Sequence, residues 1–476
     1  MFGTELMRAL HRADPGPWRG TAAIDFSGVT ADSRKAGPGM LFAALPGRSV
    51  DGADFIADAV SRGAAAVLAP EGTEWPPGVP PRPLITDPEP RQALARLAAA
   101  FAGRQPDQVV AITGTNGKTS TAEFLRQIWQ RAGRTAASLG TLGLVAPGFD
   151  AGPGLTTPDP VSLAETLAKL AKAGVRSAAL EASSHGLDQF RLDGIRIAAG
   201  GFTNFTRDHL DYHGDIAAYR RAKLRLFADL LAPGSAAVAG TALDAETLAM
   251  LRDIAASRRL RLQVVGAEAT CPQADGQIVE FRGTRFHLPL AGRFQADNAI
   301  LACVLAEATD VADALAYLPA LVGVRGRMER VAVLANGATA YVDFAHTPDA
   351  LDNVIAALRP HTAGRLHLVF GAGGDRDPGK RPLMGVASRA ADRVIVTDDN
   401  PRTEIPASIR AAVRAGCADA SEIGDRAAAI AAALSDLAAN DVLVVAGKGH
   451  EQGQTIGSET LAFDDASVIR RLIGSP

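Results

Sequence analysis

VVAITGTNGKTSTAEFLRQIWQRAG, residues Val109–Gly133, decides how the centre of the chain folds. Val109–Ile112 is a short run rich in β-branched side chains and reads as a buried strand. Phe124, Leu125, Ile128, Trp129 and Ala132 then recur at helical spacing. Gly114–Thr119 is therefore a turn between a strand and the N-terminus of an amphipathic helix. Such a turn offers several backbone N–H donors and the positive end of a helix dipole, which is what a phosphate group needs. GTNGKTS (Gly114–Ser120) departs from the usual GxxxxGK[ST] spacing, because position 112 is Ile. The strand–turn–helix context still marks a P-loop, with Lys118 on the β- and γ-phosphates and the Thr119 hydroxyl on Mg²⁺.

The same pattern extends outward. RSAALEASSHG (Arg176–Gly186) is again a strand followed by a turn, and AGRFQADNAILACVLAEA (Ala291–Ala308) is a helix after a loop. In the last third, HLVFGAGGDRD, RVIVTDDNPR and DVLVVAGKGHE each join an apolar strand to a polar, Gly-rich exit. Strands alternating with helices imply a doubly wound α/β sheet, whose ligands bind beyond the carboxyl ends of the strands. In the first third, LFAALPG (Leu41–Gly47) and AAAVLAP (Ala64–Pro70) read as strands or strand–helix edges. WPPGVPPRPL (Trp75–Leu84) is a loop, and ARLAAAFAG (Ala95–Gly103) is a helix that stops at glycine. RQPDQ (Arg104–Gln108) reads as a linker, with a boundary near residue 106.

A length of 476 residues suggests about three domains. Hydrophobic residues at 47% and charged residues at 21% indicate a globular, soluble chain. The formal net charge of −3 shows no basic surplus, so nucleic acid and anionic membranes are not expected partners. A local basic pocket for a phosphorylated small molecule stays open. Cys271, Cys303 and Cys417 are odd in number and form no CxxC pair, so they read as small buried apolar residues rather than as a disulfide or zinc set. The opening MFGTELMRALHRADPGPW is broken by charges and prolines, unlike a signal peptide, and no run reaches the ~18 apolar residues of a membrane span. A cytoplasmic protein is expected.

Several loops carry chemistry-bearing side chains. Glu181, in EASSHG, suits Mg²⁺ as a hard oxygen ligand, with a solvated loop carboxylate as the plain alternative. TNFTRDHLDYHG (Thr203–Gly214) invites a zinc reading, but no cysteine lies nearby and His209 and His213 lack the HExxH pattern. GRME (Gly326–Glu329) and DFAHTPDAL (Asp343–Leu351) are loop motifs in which Asp343 and His346 could equally be a cap and a surface imidazole. GGDRDPGKRP (Gly373–Pro382) and DDNPRT (Asp398–Thr403) place arginines in turns, where their planar forks suit carboxylates and phosphates.

With these motifs in this order, from TADSRKAGPGMLFAALPG (Thr30–Gly47) to AGKGHE (Ala446–Glu451), the chain resembles the Mur ligase family over essentially its whole length. The resemblance implies three domains: residues 1–106 for a UDP-sugar, 107–327 for ATP, and a Rossmann-like 328–476 for an incoming amino acid. It assigns Gly114, Thr115, Asn116, Gly117, Lys118, Thr119, Ser120, Asn298, Arg327 and Asp343 to ATP, with Asp343 near the ribose. Ser33 and the GRSVDG loop (Gly47–Gly52) would contact the UDP-sugar. Thr156, Thr157, Ser183, Gln189 and Arg191 would hold the muramoyl peptide, while Leu155 stands where some members carry Asn. Lys223, a solvated helix residue on its sequence alone, matches the lysine that the family carbamylates with CO₂. Thr119 and Glu181 would take one Mg²⁺, and Glu181, His209 and the modified Lys223 a second.

The implied reaction is ATP-dependent ligation in cytoplasmic peptidoglycan precursor synthesis. The γ-carboxylate of D-Glu in UDP-N-acetylmuramoyl-L-Ala-D-Glu attacks ATP, and the amine of the incoming amino acid then displaces phosphate from the acyl phosphate. Lys118, Lys223, Glu181 and His209 would carry the catalysis. Among members of the family, the DNPR loop points to meso-diaminopimelate. Arg402 would pair with its distal carboxylate, Glu451 with its distal ammonium, and Arg376, Asp399, Asn400, Pro401 and Gly447 would complete the pocket. A site built on such a bond can reject an analogue lacking it by about 10⁴-fold. A lysine-adding ligase of the same family and a plain P-loop NTPase are the alternatives, and a monomer is expected.

Overall fold

In the computed structural model the described residues are Met1, Glu5, 24–47, 50–152 and 154–474; Arg48 and Ser49 of the GRSVDG loop and most of the N-terminal stretch lie outside them. The chain forms two compact units, Met1–Val265 with Leu301–Ala314, and Gly266–Ile300 with Leu315–Pro476.

The first unit holds two sheets. Strands β1 (Gly28–Thr30), β2 (Met40–Ala43), β3 (Ala66–Pro70) and β4 (Leu84–Asp87) pair in sequence order, all parallel. The Pro90–Ala102 helix lays Ala93, Leu94, Leu97 and Ala98 in one core with Phe26, Leu41, Leu68 and Ile85. It stops at Gly103, which takes a φ of 75° that favours glycine. The second sheet contains β5 (Gln108–Thr113), β6 (Ala136–Gly140), β7 (Gly143–Ala146), β8 (Phe149–Ala151), β9 (Ser177–Glu181), β10 (Ile197–Asn204), β11 (Leu231–Ala242) and β12 (Arg261–Val265). Their order is β12-β11-β10-β5-β9-β6-β7-β8, parallel from β12 to β6, with an antiparallel edge of β7 and β8. β5 is internal and almost wholly apolar, as a strand covered on both faces must be. Ile112 pairs with Glu181 and Thr113 with Phe202, so the loops after β5, β9 and β10 leave the sheet at one edge.

The second unit has an antiparallel sheet of β13 (Ala269–Gln273), β14 (Gly276–Phe281) and β15 (Thr284–Leu288). Its main sheet comprises β16 (Glu329–Val333), β17 (Thr339–Asp343), β18 (Leu366–Phe370), β19 (Arg393–Val396), β20 (Ser421–Glu422) and β21 (Val442–Ala446), in the order β16-β17-β21-β18-β19-β20. All of these pairings are parallel except that of β16 with β17. A hairpin of β22 (Gly453–Ile456) and β23 (Glu459–Ala462) follows. The α/β reading with parallel sheets holds. One detail needs correction: Cys303 and Cys417 are buried, but Cys271 is exposed. It sits on β13, which pairs only with β14 at the sheet edge and alternates between exposed and half-buried positions.

Beneath the carboxyl end of β21, Arg426 donates from Nε and Nη2 to the two carboxylate oxygens of Asp465, both at 2.7 Å, and both side chains are fully buried. The same Nη2 donates to the Ala446 carbonyl at 2.9 Å, tying the strand end to this pair. Asp465→Ala leaves the guanidinium buried without its anion, and a stability loss of about 3–5 kcal/mol is expected. Urea unfolding followed by circular dichroism checks this, and an unmoved midpoint would refute it.

Candidate active site

The P-loop follows β5 directly. Gly114 has a φ of 147°, and a Cβ there would lie 1.8 Å from Thr203 Oγ1, so only glycine fits. β10 pins the loop from its flank. Thr115 N–H donates to the Asn204 carbonyl at 3.0 Å and Asn116 N–H to Asn204 Oδ1 at 2.9 Å. The Asn116 carbonyl accepts from Thr203 Oγ1 at 2.5 Å and Asn204 Nδ2 at 3.1 Å. The helix Lys118–Arg131 starts after Gly117, in the left-handed region, and has no side-chain cap. A helix start without a side-chain cap suits an anion. Thr119 and Ser120 lie buried in its first turn.

Two amines converge on one oxygen here. Lys118 Nζ donates to the Gly114 carbonyl at 2.8 Å and to that of Thr115 at 2.9 Å. Lys223 Nζ donates to the same Gly114 carbonyl at 2.7 Å. The solvated reading of Lys223 fails: its side chain is 1% exposed, because the Ile216–Arg225 helix also buries Tyr219, Ala222 and Leu224. Burial, and then the charge of Lys118, hold its amine well below the usual lysine range. Tyr219, one turn earlier, places its ring 4.5 Å from Lys223 Nζ and its hydroxyl 3.1 Å from Thr115 Oγ1. Tyr219 is a site residue that reading the sequence missed, although its i, i+4 spacing to Lys223 was there to be used.

Glu181 ends β9 and is buried. Its Oε1 accepts from Thr141 N–H at 2.8 Å and its Oε2 from Thr141 Oγ1 at 3.1 Å. Thr141 Oγ1 meets Thr156 Oγ1 at 3.1 Å. Thr157 Oγ1 contacts the Glu181 carbonyl at 2.7 Å and Ser183 Oγ at 3.0 Å. Arg191 donates to the Thr157 carbonyl at 2.5 Å and to Gln189 Oε1 at 2.7 Å, and Gln189 Nε2 donates to the Tyr212 hydroxyl at 3.0 Å. Thr156, Thr157, Ser183, Gln189 and Arg191 thus belong to one hydrogen-bonded network that reaches Glu181. Ser33 is buried at the start of a short 3₁₀ turn.

His209 takes a φ of 51°, uncommon for a non-glycine residue, immediately before the Leu210–His213 turn of helix. Its ring stands edge-on to His185 with centroids 4.9 Å apart, and burial lowers its pKa. Asp208 Oδ2 lies 3.4 Å from its Nε2. Among the described residues, no three His, Cys, Asp or Glu side chains cluster to hold a metal alone. Mg²⁺ keeps waters and takes phosphate oxygens beside one or two protein carboxylates. Glu181 and the Thr119 hydroxyl are hard oxygen donors of this kind.

In the second unit, Asp343 ends β17 beside Ala446 of β21. Its Oδ2 accepts from Met328 N–H at 2.7 Å and its Oδ1 from Ala345 N–H at 2.8 Å, while burial raises its pKa. Asn298 is buried on the Arg293–Glu307 helix, and the Arg327 guanidinium lies 4.5 Å from the Phe344 ring. The loop after β19 carries Asp399, Asn400, Pro401 and Arg402. Arg402 Nη1 donates to the Gly374 carbonyl at 2.6 Å, and the Arg402 backbone pairs with Thr455 and Gly457. Asp399 Oδ2 is buried without a hydrogen-bond partner. It faces Gly447, where a Cβ would stand 2.5 Å from it. Asn400 Nδ2 donates to Glu451 Oε2 at 2.9 Å. Arg376 is exposed in its own loop.

Three family descriptions match the chain: "Mur ligase family, catalytic domain" over residues 25–102, "Mur ligase middle domain" over 112–306, and "Mur ligase, glutamate ligase domain" over 326–449. A Mesorhizobium japonicum protein named UDP-N-acetylmuramoyl-L-alanyl-D-glutamate–2,6-diaminopimelate ligase is 51% identical over 471 residues, covering 95% of this chain and 96% of that protein. A Caulobacter vibrioides protein of the same name is 53% identical over 469 residues, covering 94% and 96%. A solved structure with that name superposes with a TM-score of 0.71 at 33% identity, covering 98% of both chains. A Mycobacterium tuberculosis folylpolyglutamate synthase, at 21% identity and a TM-score of 0.63 over 81% of this chain and 95% of its own, shares the fold.

The contact of Gly114 with Thr203 generates a test. Gly114→Ala must displace Thr203 or the loop, and ATP affinity is expected to fall at least about tenfold with the far-ultraviolet spectrum unchanged. Isothermal titration with a non-hydrolysable ATP analogue measures this, and wild-type affinity would contradict the reading.

Proposed function

The chain belongs to the Mur ligase family, and from that premise we propose that it is an ATP-dependent amide-bond ligase joining meso-2,6-diaminopimelate to the D-Glu γ-carboxylate of UDP-N-acetylmuramoyl-L-Ala-D-Glu. One observation carries the choice of amino acid. The DNPR loop and Glu451 gather a guanidinium, a buried carboxylate with one oxygen left without a hydrogen bond, and an amide bonded to a second carboxylate. Diaminopimelate ends in an ammonium and a carboxylate on one carbon, and this set complements both. Lysine offers only the ammonium.

The reaction makes an acyl phosphate and then an amide. The γ-carboxylate oxygen forms a bond to the γ-phosphorus as the bond to ADP breaks. The amino nitrogen next bonds to the acyl carbon, phosphate leaves, and the nitrogen gives up a proton. Two anions must approach in the first step, so cations have to surround them. Lys118 is assigned to the ATP phosphates with Gly114, Thr115, Asn116, Gly117, Thr119 and Ser120. Asn298, Arg327 and Asp343 are assigned to ATP in the second unit. Thr156, Thr157, Ser183, Gln189 and Arg191 are assigned to the muramoyl peptide, and Ser33 to the uridine nucleotide. Mg²⁺ held by Thr119 and Glu181 would supply charge neutralisation at the phosphates.

Lys223 is assigned as a carbamate. Attack on CO₂ requires a neutral amine, and burial beside Lys118 favours that form. The nitrogen bonds to the CO₂ carbon and releases one proton, which replaces two neighbouring amines by an ammonium and an anion. That anion would join Glu181 and His209 in holding a second Mg²⁺. Domains at 1–106, 107–327 and 328–476, a monomer and a cytoplasmic setting belong to the same proposal. No helix among the described residues is long and apolar enough to cross a membrane.

Two experiments test this. ADP and phosphate release is measured with UDP-N-acetylmuramoyl-L-Ala-D-Glu, ATP and Mg²⁺, adding meso-diaminopimelate or L-lysine, with mass detection of the product. Tripeptide with diaminopimelate alone is expected; product with lysine instead would overturn the acceptor, and release that ignores both would point to a plain NTPase. Lys223→Ala is expected to lower kcat by about 100-fold and to lose the ¹³C carbamate resonance that the wild type gains in ¹³C-bicarbonate. A resonance that survives in the variant would place the carbamate elsewhere.

A further inference from the structure

Lys448 stands between two glycines after β21 with its side chain wholly buried. Its Nζ donates to Asn400 Oδ1 at 3.0 Å and lies 3.4 Å from Glu451 Oε2. Asn400 Oδ1 also accepts from Thr455 N–H at 2.9 Å, while Asn400 Nδ2 donates to Glu451 Oε2 at 2.9 Å. Two groups that can only donate meet the amide oxygen, and one that can only accept meets its nitrogen. The amide is therefore fixed in one orientation. One Nδ2 hydrogen of Asn400 and the Oε1 of Glu451 are left for a ligand.

We propose that Lys448 is a positioning residue that sets acceptor specificity in the pocket formed by the DNPR loop, an inference that rests on assigning that loop to diaminopimelate. It acts in two ways. By holding the Asn400 oxygen, it turns the remaining N–H toward a carboxylate, beside the fork of Arg402. By standing against Glu451, it offsets part of that carboxylate's charge, so a distal ammonium alone is held weakly. An acceptor bearing both groups satisfies Arg402, Asn400 and Glu451. L-lysine leaves the two carboxylate-seeking donors unmatched, which is the costly direction of mismatch. The wholly buried ammonium is itself expensive unless paired, so its place between Asn400 and Glu451 constrains both partners.

The test compares wild type, Lys448→Met and Lys448→Gln. Steady-state kcat and KM are measured for meso-diaminopimelate, L-lysine and 2-aminopimelate, which lacks the distal ammonium, with the KM for ATP and thermal midpoints as controls. In Lys448→Met the KM for diaminopimelate is expected to rise about tenfold, with that for ATP unchanged. Its kcat/KM preference for diaminopimelate over lysine falls by about tenfold or more. Lys448→Gln keeps a donor for Asn400 but no charge, so it retains more of the diaminopimelate KM while its use of lysine rises. A folded Lys448→Met with an unchanged preference, or with equal losses for both acceptors, overturns the proposal and leaves a structural lysine. If neither variant folds, the wild type decides: 2-aminopimelate used better than lysine supports the proposal, and lysine used better overturns it. A wild type inactive with diaminopimelate would instead remove the assignment beneath it.

Discussion

The carbonyl of Gly114 accepts from both Lys118 and Lys223, at 2.8 and 2.7 Å, and the first unit's site is arranged around that shared acceptor. The oxygen stands where it does because Gly114 adopts a backbone conformation closed to other residues, with Thr203 pressed against its α-carbon. Two ammonium groups on one oxygen repel, and the more deeply buried of them loses its proton more easily. On the proposed assignments, phosphate binding and amine chemistry are coupled through this single peptide group, with the Lys118 cation next to a lysine whose neutral form is favoured.

The second unit uses the same device at the end of another parallel strand. Gly447 follows β21 as Gly114 follows β5, and each has a positive φ. Each is approached so closely by a polar side chain that a Cβ would collide, with Thr203 Oγ1 of the adjacent strand β10 in one case and Asp399 Oδ2 from the exit loop of β19, two strands away, in the other. Parallel strands buried on both faces offer polar chemistry only at their ends. Glycine at those ends lets functional atoms approach the backbone, and the sheet register sets which loops share an edge.

This division explains what could be read from the sequence. The strand, turn and helix of Val109–Arg131 are local features, each visible in spacing and composition, and so are the apolar strands with polar exits that fill the last third. The order of motifs carried the family resemblance. Lys223 is different: within YRRAKLR three arginines accompany it, and a lysine there reads as solvated until the packing of the Ile216–Arg225 helix shows it buried. Cys271 errs in the opposite sense, an apolar-looking residue left in the open by an edge strand. Tyr219, Thr203 and Asn204 are residue types with many ordinary uses, and only the pairing of β10 with β5 brings the last two to the P-loop.

The two sites also differ in how much of their polar inventory is already committed. In the second unit, Asn400 is held by Lys448, Thr455 and Glu451, and Arg402 by its own backbone pairing with β22, so the pocket's shape is set before any ligand arrives. Selection between two amines that differ by one carboxylate needs such fixed donors, because a mobile donor could turn to another partner and soften the mismatch. The P-loop meets a different demand. Its flanks are pinned by Asn204 and Thr203, yet the helix beyond Gly117 starts without a side-chain cap. Phosphate recognition relies on a dipole and several N–H groups shared among many oxygens, and it tolerates a less specific frame. On the proposed assignments, fixed donors are concentrated where two acceptors must be told apart, and a helix start without a side-chain cap is retained where charge is to be received.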